Sequence, residues 1–400
     1  MPDLYARRTA DVIGAGQARP RPLRLLLVGG GHANVALLKA ARRWTRRGVR
    51  VTLVSDARHL YASGMTPESL GGVYSAEDVR IDLLRWCLVN HVAFVQARVT
   101  GLDVVARTAR TSQGDILPCD LAVFDIGATN PLRDRAGSAV LTKPLHHIGR
   151  LRAWLEGGSS SGPPRSLVVV GGGPAGTEVL LNVSARWGRR TGPGALGLTL
   201  VHPGGRLMPQ FAPGLGRRAE HLLRGRGVRV LLNTRVERVE EGAVVLEGGE
   251  RLPGDVVLWA TGTRGQALFG EAGLPVDGQG YVQVDRRLRV LGQPWLFAAG
   301  DCAVMEGRRL DRSGVNAVAQ GLVLRGHLDR LVNAWQAGRD PAGVSLSPFR
   351  PYPVAPYLIS TGTPEGMLAL GPRVGLRGRP LLWCKHLADR VWVGRYRFPA

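Results

Sequence analysis

Short, wholly apolar runs in this chain end in glycine corners, and segments of three-to-four apolar spacing follow them. "LRLLLVGGGHANVALL" (Leu23–Leu38) sets the pattern. An unbroken apolar run suits a parallel strand covered on both faces. The spacing after the glycines predicts a helix. "LVVVGGGPAGTEVLL" (Leu167–Leu181) repeats the arrangement. "VRVTLVSD" (Val49–Asp56) reads as the second strand of the first unit, and "LGLTLVHP" (Leu196–Pro203) follows the second. Alternation and a Gly-Asp turn across Ala97–Asn130 predict a small β-meander that returns to the main sheet.

These elements predict an α/β protein with two Rossmann-like dinucleotide-binding domains and a C-terminal α+β segment. The expected division is a mobile arm over 1–22 and a first unit over 23–145. An inserted second unit covers 146–265, the first unit resumes over 266–335, and a C-terminal region covers 336–400. The Gly-Ser-Pro stretch Gly157–Pro164 marks entry to the second unit.

The glycines carry the chemistry. In the second copy Gly171, Gly173 and Gly176 complete G-x-G-x-x-G between strand and helix. Their roles are a tight turn, close backbone approach to a pyrophosphate, and close helix–strand packing. In the first copy Gly29, Gly30 and Gly31 supply the turn, but Asn34 stands at the third position. That is a packing irregularity, and the phosphate site remains. Asp56, at the end of the second strand, is the candidate for a ribose hydroxyl; a turn or cap aspartate is the alternative.

Composition narrows the picture. The formal net charge is +22, and Lys39, Lys143 and Lys385 are the only lysines. An arginine-skewed charge without a nucleic-acid motif, with 6% aromatics, argues against nucleic acid and favours an anionic membrane surface. No apolar run approaches the roughly 18 residues of a spanning helix, and the first 22 residues lack a signal-peptide core. Cys87, Cys119, Cys302 and Cys384 are scattered, so neither a zinc site nor a reactive pair is expected.

The two glycine turns, "DIGATN", "WATGTRG" and "LFAAGDCA", in this order, resemble the two-dinucleotide-binding-domain flavoproteins. Within them the chain is most similar to the type II NADH dehydrogenase branch. "YASGMTPESLGGVY" and "GVNAVAQG" resemble the flavoprotein module that some bacteria fuse to selenophosphate synthetase. The resemblance implies FAD on Gly29, Gly30 and Gly31, with the Val99 backbone meeting the adenine. Gly127 and Thr129 would lie on the adenosine side, and Gly300 and Asp301 by the ribitol or phosphates. It implies NADH or NADPH on Gly171, Gly173 and Gly176, with Thr261 and Gly262 lining the cleft. Glu178, Lys143 and Gln320 are the implied catalytic residues: Glu178 beside nicotinamide and flavin, Lys143 as a cation for the reduced flavin, Gln320 where quinone meets it.

Two departures matter. His202 stands where NADH users carry an acid, with Arg206 following, and this leaves the nicotinamide preference open. Gly314 and Val315 replace the family's Ala-Gln pair, which weakens quinone as acceptor. The expected function is an FAD-dependent NAD(P)H dehydrogenase passing electrons to a quinone-type acceptor, peripheral on the inner membrane face. The alternatives are a soluble reductase of a small electron-carrier protein and a slow redox-sensing flavoprotein. A homodimer is compatible with either. An amphipathic membrane-surface helix is expected over Arg379–Phe398, its stripe formed by Leu381, Cys384, Leu387, Ala388, Val391 and Trp392. Docking of that helix on the protein's own core is the competing expectation.

Overall fold

The computed structural model describes residues 21–130, 136–143, 147–157, 165–190, 196–308 and 310–398. All but the end of the expected 1–22 arm, and most of the Gly157–Pro164 loop, lie outside the described residues.

Two five-stranded sheets organise the chain. The first runs Leu296–Ala298, Leu121–Phe124, Arg24–Val28, Arg50–Ser55, Ala93–Gln96, with every neighbouring pair parallel. The second runs Val140–Leu141, Val256–Trp259, Arg165–Val170, Leu196–Val201, Arg229–Leu231, again all parallel. Each unit thus places its glycine-bearing strand at the centre. The apolar runs explain this: Leu25 to Val28 and Leu167 to Val170 are buried on both faces, as a central parallel strand must be. The fold is the expected α/β type. Val140–Leu141 pairs in the second sheet, although it falls in the stretch 23–145.

The meander forms as an antiparallel sheet of Val99–Asp103, Thr108–Thr111 and Ile116–Pro118. The helix Gly314–Gln336 then crosses the first-turn helix His32–Ala40 at close range. A Cβ on Gly321 would lie 2.6 Å from the Ala33 carbonyl oxygen, so the crossing requires glycine there.

The C-terminal region is an antiparallel sheet of Tyr357–Ser360, Gly366–Leu370 and Val374–Gly378, followed by the helix Arg379–Gly394. That helix is docked on the protein. Its inward row is Lys385 and Val393, with Trp392 stacked on His32 at 4.9 Å between ring centroids. Trp392 is therefore not on the outward stripe expected from spacing. The outward apolar row is Trp383, Leu387 and Val391, 65%, 47% and 47% exposed. Lys385, which spacing assigns to the polar face, is inside. The apolar spacing of this helix is satisfied equally well by two faces, and buried carboxylates decide which one turns inward. Among the described residues no helix is long and apolar enough to cross a membrane.

Candidate functional site

Each glycine turn ends a central strand and starts a helix. Gly29 and Gly171 have positive φ, +89° and +117°. A Cβ on Gly29 would meet the Asp125 carbonyl oxygen at 2.3 Å, and one on Gly171 the Ala260 carbonyl oxygen at 2.4 Å. The two corners are therefore built alike. Gly173 faces open space, whereas Gly176 packs under Gly171, its Cβ position 2.2 Å from the Gly171 oxygen. This helix–strand approach is what the third glycine serves. Such glycine corners leave backbone amides facing an anion, so both fit a dinucleotide phosphate.

The two strand-end loops clasp each other. The Thr129 amide donates to the Arg264 carbonyl at 2.9 Å, and the Arg264 amide returns the bond at 2.8 Å. The Asn130 side chain accepts from the Trp259 indole at 3.1 Å and donates to Thr261 Oγ1 at 3.2 Å. "GATN" and "WATGTR" are thus one joint between the units, with Gly127 (φ +67°) and Gly262 unobstructed beside it.

At the first unit the structure brings Lys143, Asp301, Gly300 and Gln320 together. Lys143 pairs with Asp301. The Gly300 amide donates to Gln320 Oε1 at 2.7 Å. His32, at the start of the first helix, is half-buried against Trp392, and desolvation lowers its pKa to about 4. Tyr357 lies close enough for the Asp301 and Asp311 charges to add to the upward shift that burial imposes on its hydroxyl. Cys302 is fully buried, and burial pushes its thiol up to about 12. It donates to the Ala299 carbonyl and serves packing.

Glu178 belongs to a different arrangement. Its Oε1 accepts from the Ser360 amide at 2.8 Å and from Ser360 Oγ at 3.0 Å, while Asn182 donates to the same hydroxyl at 2.8 Å. Burial raises its pKa to about 7, opposed by the charge of Lys385. The strand Tyr357–Ser360 thus ends at Glu178, and its Tyr357 ring packs on Phe211 at 5.0 Å between centroids. Lys385 itself donates to Glu68 Oε2 at 2.6 Å and Asp389 Oδ2 at 2.8 Å. His386 Nε2 meets Glu68 Oε1 at 2.7 Å.

Two candidates stand apart. Asp56 lies in an exposed bend, 3.6 Å from Arg98. Val99 is a buried position of the meander, paired with Thr111. In the second unit the Gly172 amide donates to His202 Nδ1 at 3.2 Å, so His202 braces the glycine turn and carries its proton on Nε2. Arg206 donates to the carbonyls of Pro209 and Phe211, so two backbone oxygens hold the cation expected to meet a 2′-phosphate.

Residue-type patterns missed Asp125, Ser360 and Asn130. Asp125 was detectable by laying "FDIG" over "WATG", since Val28 registers with Phe124 as Val170 does with Trp259. Ser360 carries no local signal.

Two alike dinucleotide turns on two parallel sheets, joined at their strand ends, define a two-nucleotide flavoprotein reductase. The model of the pyridine nucleotide-disulphide oxidoreductase family matches residues 23–338, and the chain belongs to that family. It is an oxidoreductase flavoprotein whose cofactors are FAD and a nicotinamide nucleotide. The chain is 27% identical over 307 residues to a nitric oxide reductase FlRd-NAD(+) reductase of Vibrio vulnificus, covering 72% of this chain and 73% of that one. It is 25% identical over 334 residues to the type II NADH:quinone oxidoreductase of Staphylococcus aureus, covering 78% and 83%. Its fold matches NDH2 from Plasmodium falciparum in complex with NADH at a TM-score of 0.73 and 14% identity, over 94% of this chain and all of that one. All four cysteines here are free, and Cys87, Cys119 and Cys302 are buried.

Proposed function

We propose that this chain is an NAD(P)H dehydrogenase that delivers electrons to a quinone-type acceptor at a membrane surface. The observation that carries the reading is the joint at which the two glycine-turn units meet, where Thr129 exchanges backbone bonds with Arg264 and Asn130 bonds Trp259 and Thr261, together with the Lys143–Asp301 pair in the first unit. When bound, the flavin accepts reducing equivalents from the nicotinamide and passes them to the second substrate. Gly29, Gly30 and Gly31 would hold its phosphates, and Gly300 and Asp301 would orient it. Lys143, held by Asp301, would favour negative charge on the reduced cofactor. Gly171, Gly173 and Gly176 would hold the nicotinamide nucleotide, with Thr261 and Gly262 beside it. Glu178, its carboxyl oriented by Ser360, would keep a proton near neutrality at the meeting point of the two. Gln320 fixes the Gly300 turn through its amide. Val99 and Asp56 remain proposals for the adenosine end.

The membrane element of the reading is supported by the outward row Trp383, Leu387 and Val391, flanked by Arg379, Arg390 and Arg395. Basic flanks around one apolar face suit an interfacial helix on anionic lipid. The expected division into 23–145, 146–265, 266–335 and 336–400 stays part of this reading, as does the likeness to the selenophosphate-synthetase-fused module.

A second reading, reduction of a small electron-carrier protein, is favoured by the +22 charge, which would steer an acidic partner. The test is turnover with NADH and NADPH against ubiquinone analogues in anionic liposomes and against an acidic iron–sulfur protein. Quinone turnover that rises with liposomes supports the first reading. Turnover with the carrier protein alone supports the second.

A further inference from the structure

The two turns differ by a matched pair of residues. Where the second unit has Gly176 against Ala260, the first has Asn34 against Asp125. Asn34 Nδ2 donates to the carbonyls of Val28 (3.0 Å) and Gly29 (2.8 Å), pinning the turn through its side chain. The Asn34 and Ala33 amides, at the opening of the helix, donate to Asp125 Oδ2 at 3.1 and 2.7 Å. The carboxylate is held between two glycine corners. A Cβ on Gly31 would lie 2.3 Å from Oδ2, and one on Gly300 2.4 Å from Oδ1. Asp125 is 4% exposed, and among the described residues these two amides are its hydrogen-bond donors. A negative group thus occupies the floor of the corner where the opening amides of a helix meet phosphate. No such group exists in the second unit, where Ala260 takes the place.

We propose that Asp125 couples flavin binding to proton uptake: the dinucleotide pyrophosphate binds the chain with this carboxyl in its neutral acid form. The inference rests on reading the first turn as the FAD site. One proton from solvent joins the Asp125 carboxylate as FAD binds and leaves when FAD dissociates. The reason is electrostatic. An ionised carboxylate and a pyrophosphate cannot share one buried helix terminus without mutual repulsion in a low-dielectric setting. The neighbours do not relieve it. From the helix start comes the half-buried His32, kept neutral by desolvation. From the Gly300 turn come Asp301, whose charge is matched by Lys143, and the inert Cys302 thiol. From the long helix comes the Gln320 amide, already engaged by Gly300. Burial, opposed by the two amides, already raises the Asp125 carboxyl to about 7.

The experiment measures FAD dissociation from the purified holoprotein by recovered flavin fluorescence, between about pH 6 and about pH 8.5. The dissociation constant should stay flat at the acid end and rise by about tenfold per pH unit above neutrality. Asp125→Asn, neutral throughout, should be flat and match the acid limb of the wild type. A flat wild-type profile overturns the proposal. A slope that survives in Asp125→Asn also overturns it and moves the proton to His32. Should Asp125→Asn not fold, calorimetry on the wild type in two buffers of different ionisation enthalpy decides. Uptake approaching one proton per flavin at the alkaline end supports the proposal, and none overturns it. A folded chain that takes up no FAD at any pH removes the flavin reading itself, a result distinct from pH-independent binding.

Discussion

Replacing Lys385 by methionine tests what holds the C-terminal helix to the protein. The ammonium is 3% exposed, and the Glu68 side chain it contacts is 2% exposed. Removing the cation takes the lysine counter-charge from the buried Glu68 carboxylate, which keeps His386 Nε2 on its other oxygen, and Asp389 loses the same partner. Breaking a buried ion pair from one side costs about 3–5 kcal/mol. Neither charge of the central pair is exposed enough for solvent to screen it. Methionine keeps the volume of the lysine stem, so a cavity adds little. At about 1.4 kcal/mol per tenfold, hydrogen exchange at the amides of 379–394 should accelerate by roughly two to three and a half orders of magnitude. Adding Glu68→Gln should restore most of the protection, because it removes the stranded charge. Acceleration of less than about tenfold, or a double variant no better protected than the single one, would refute the reasoning.

Other outcomes follow from the same geometry. Asp301→Ala should lower the flavin-to-protein ratio on purification, because it leaves Lys143 without the carboxylate it faces; full retention contradicts the role given to Asp301. With the Glu178 carboxyl raised to about 7, folding favours its protonated form. The stability it contributes is complete below the ordinary carboxylate value and is lost as pH rises through about 7. Glu178→Gln should therefore resist urea better than the wild type on the alkaline side, with the difference vanishing in acid; an alkaline deficit contradicts the buried-carboxyl account. Because Arg206 is held by the Pro209 and Phe211 carbonyls, stopped-flow flavin reduction should discriminate weakly between NADH and NADPH; a preference beyond about a hundredfold, some 2.7 kcal/mol, overturns that expectation. Trp383→Ser with Leu387→Ser should abolish flotation with anionic liposomes while soluble-acceptor activity persists; unchanged flotation removes the helix from the membrane reading.

Much of this architecture was legible in the residues, for a physical reason. A central parallel strand needs an uninterrupted apolar run, and a phosphate corner needs glycine, so Leu25–Gly31 and Leu167–Gly173 declare themselves locally. The Lys143–Asp301–Gln320 cluster was legible only as separate motifs; the contact between them is tertiary. Lys385 was misplaced because a cation off an apolar stripe reads as solvated. Its partner Glu68 stands 317 positions earlier, beyond any local signal. The outward face of the same helix was mixed with the inward one for the same reason: Leu387 and Val391 face out, while Trp392 turns to His32. Asp125 was hidden because a polar residue at the end of an apolar strand looks like an ordinary strand end; only superposing the chain's two halves exposes it.

The central claim, electron transfer from a nicotinamide nucleotide through a flavin held between these two turns, is tested most directly by anaerobic titration of the purified protein with NADH or NADPH. The purified protein should be yellow, with one flavin per chain. Its absorbance should bleach on addition of one equivalent of nucleotide and return when a quinone analogue is added. A folded protein that binds no FAD, or one whose bound flavin neither nucleotide bleaches, would contradict it.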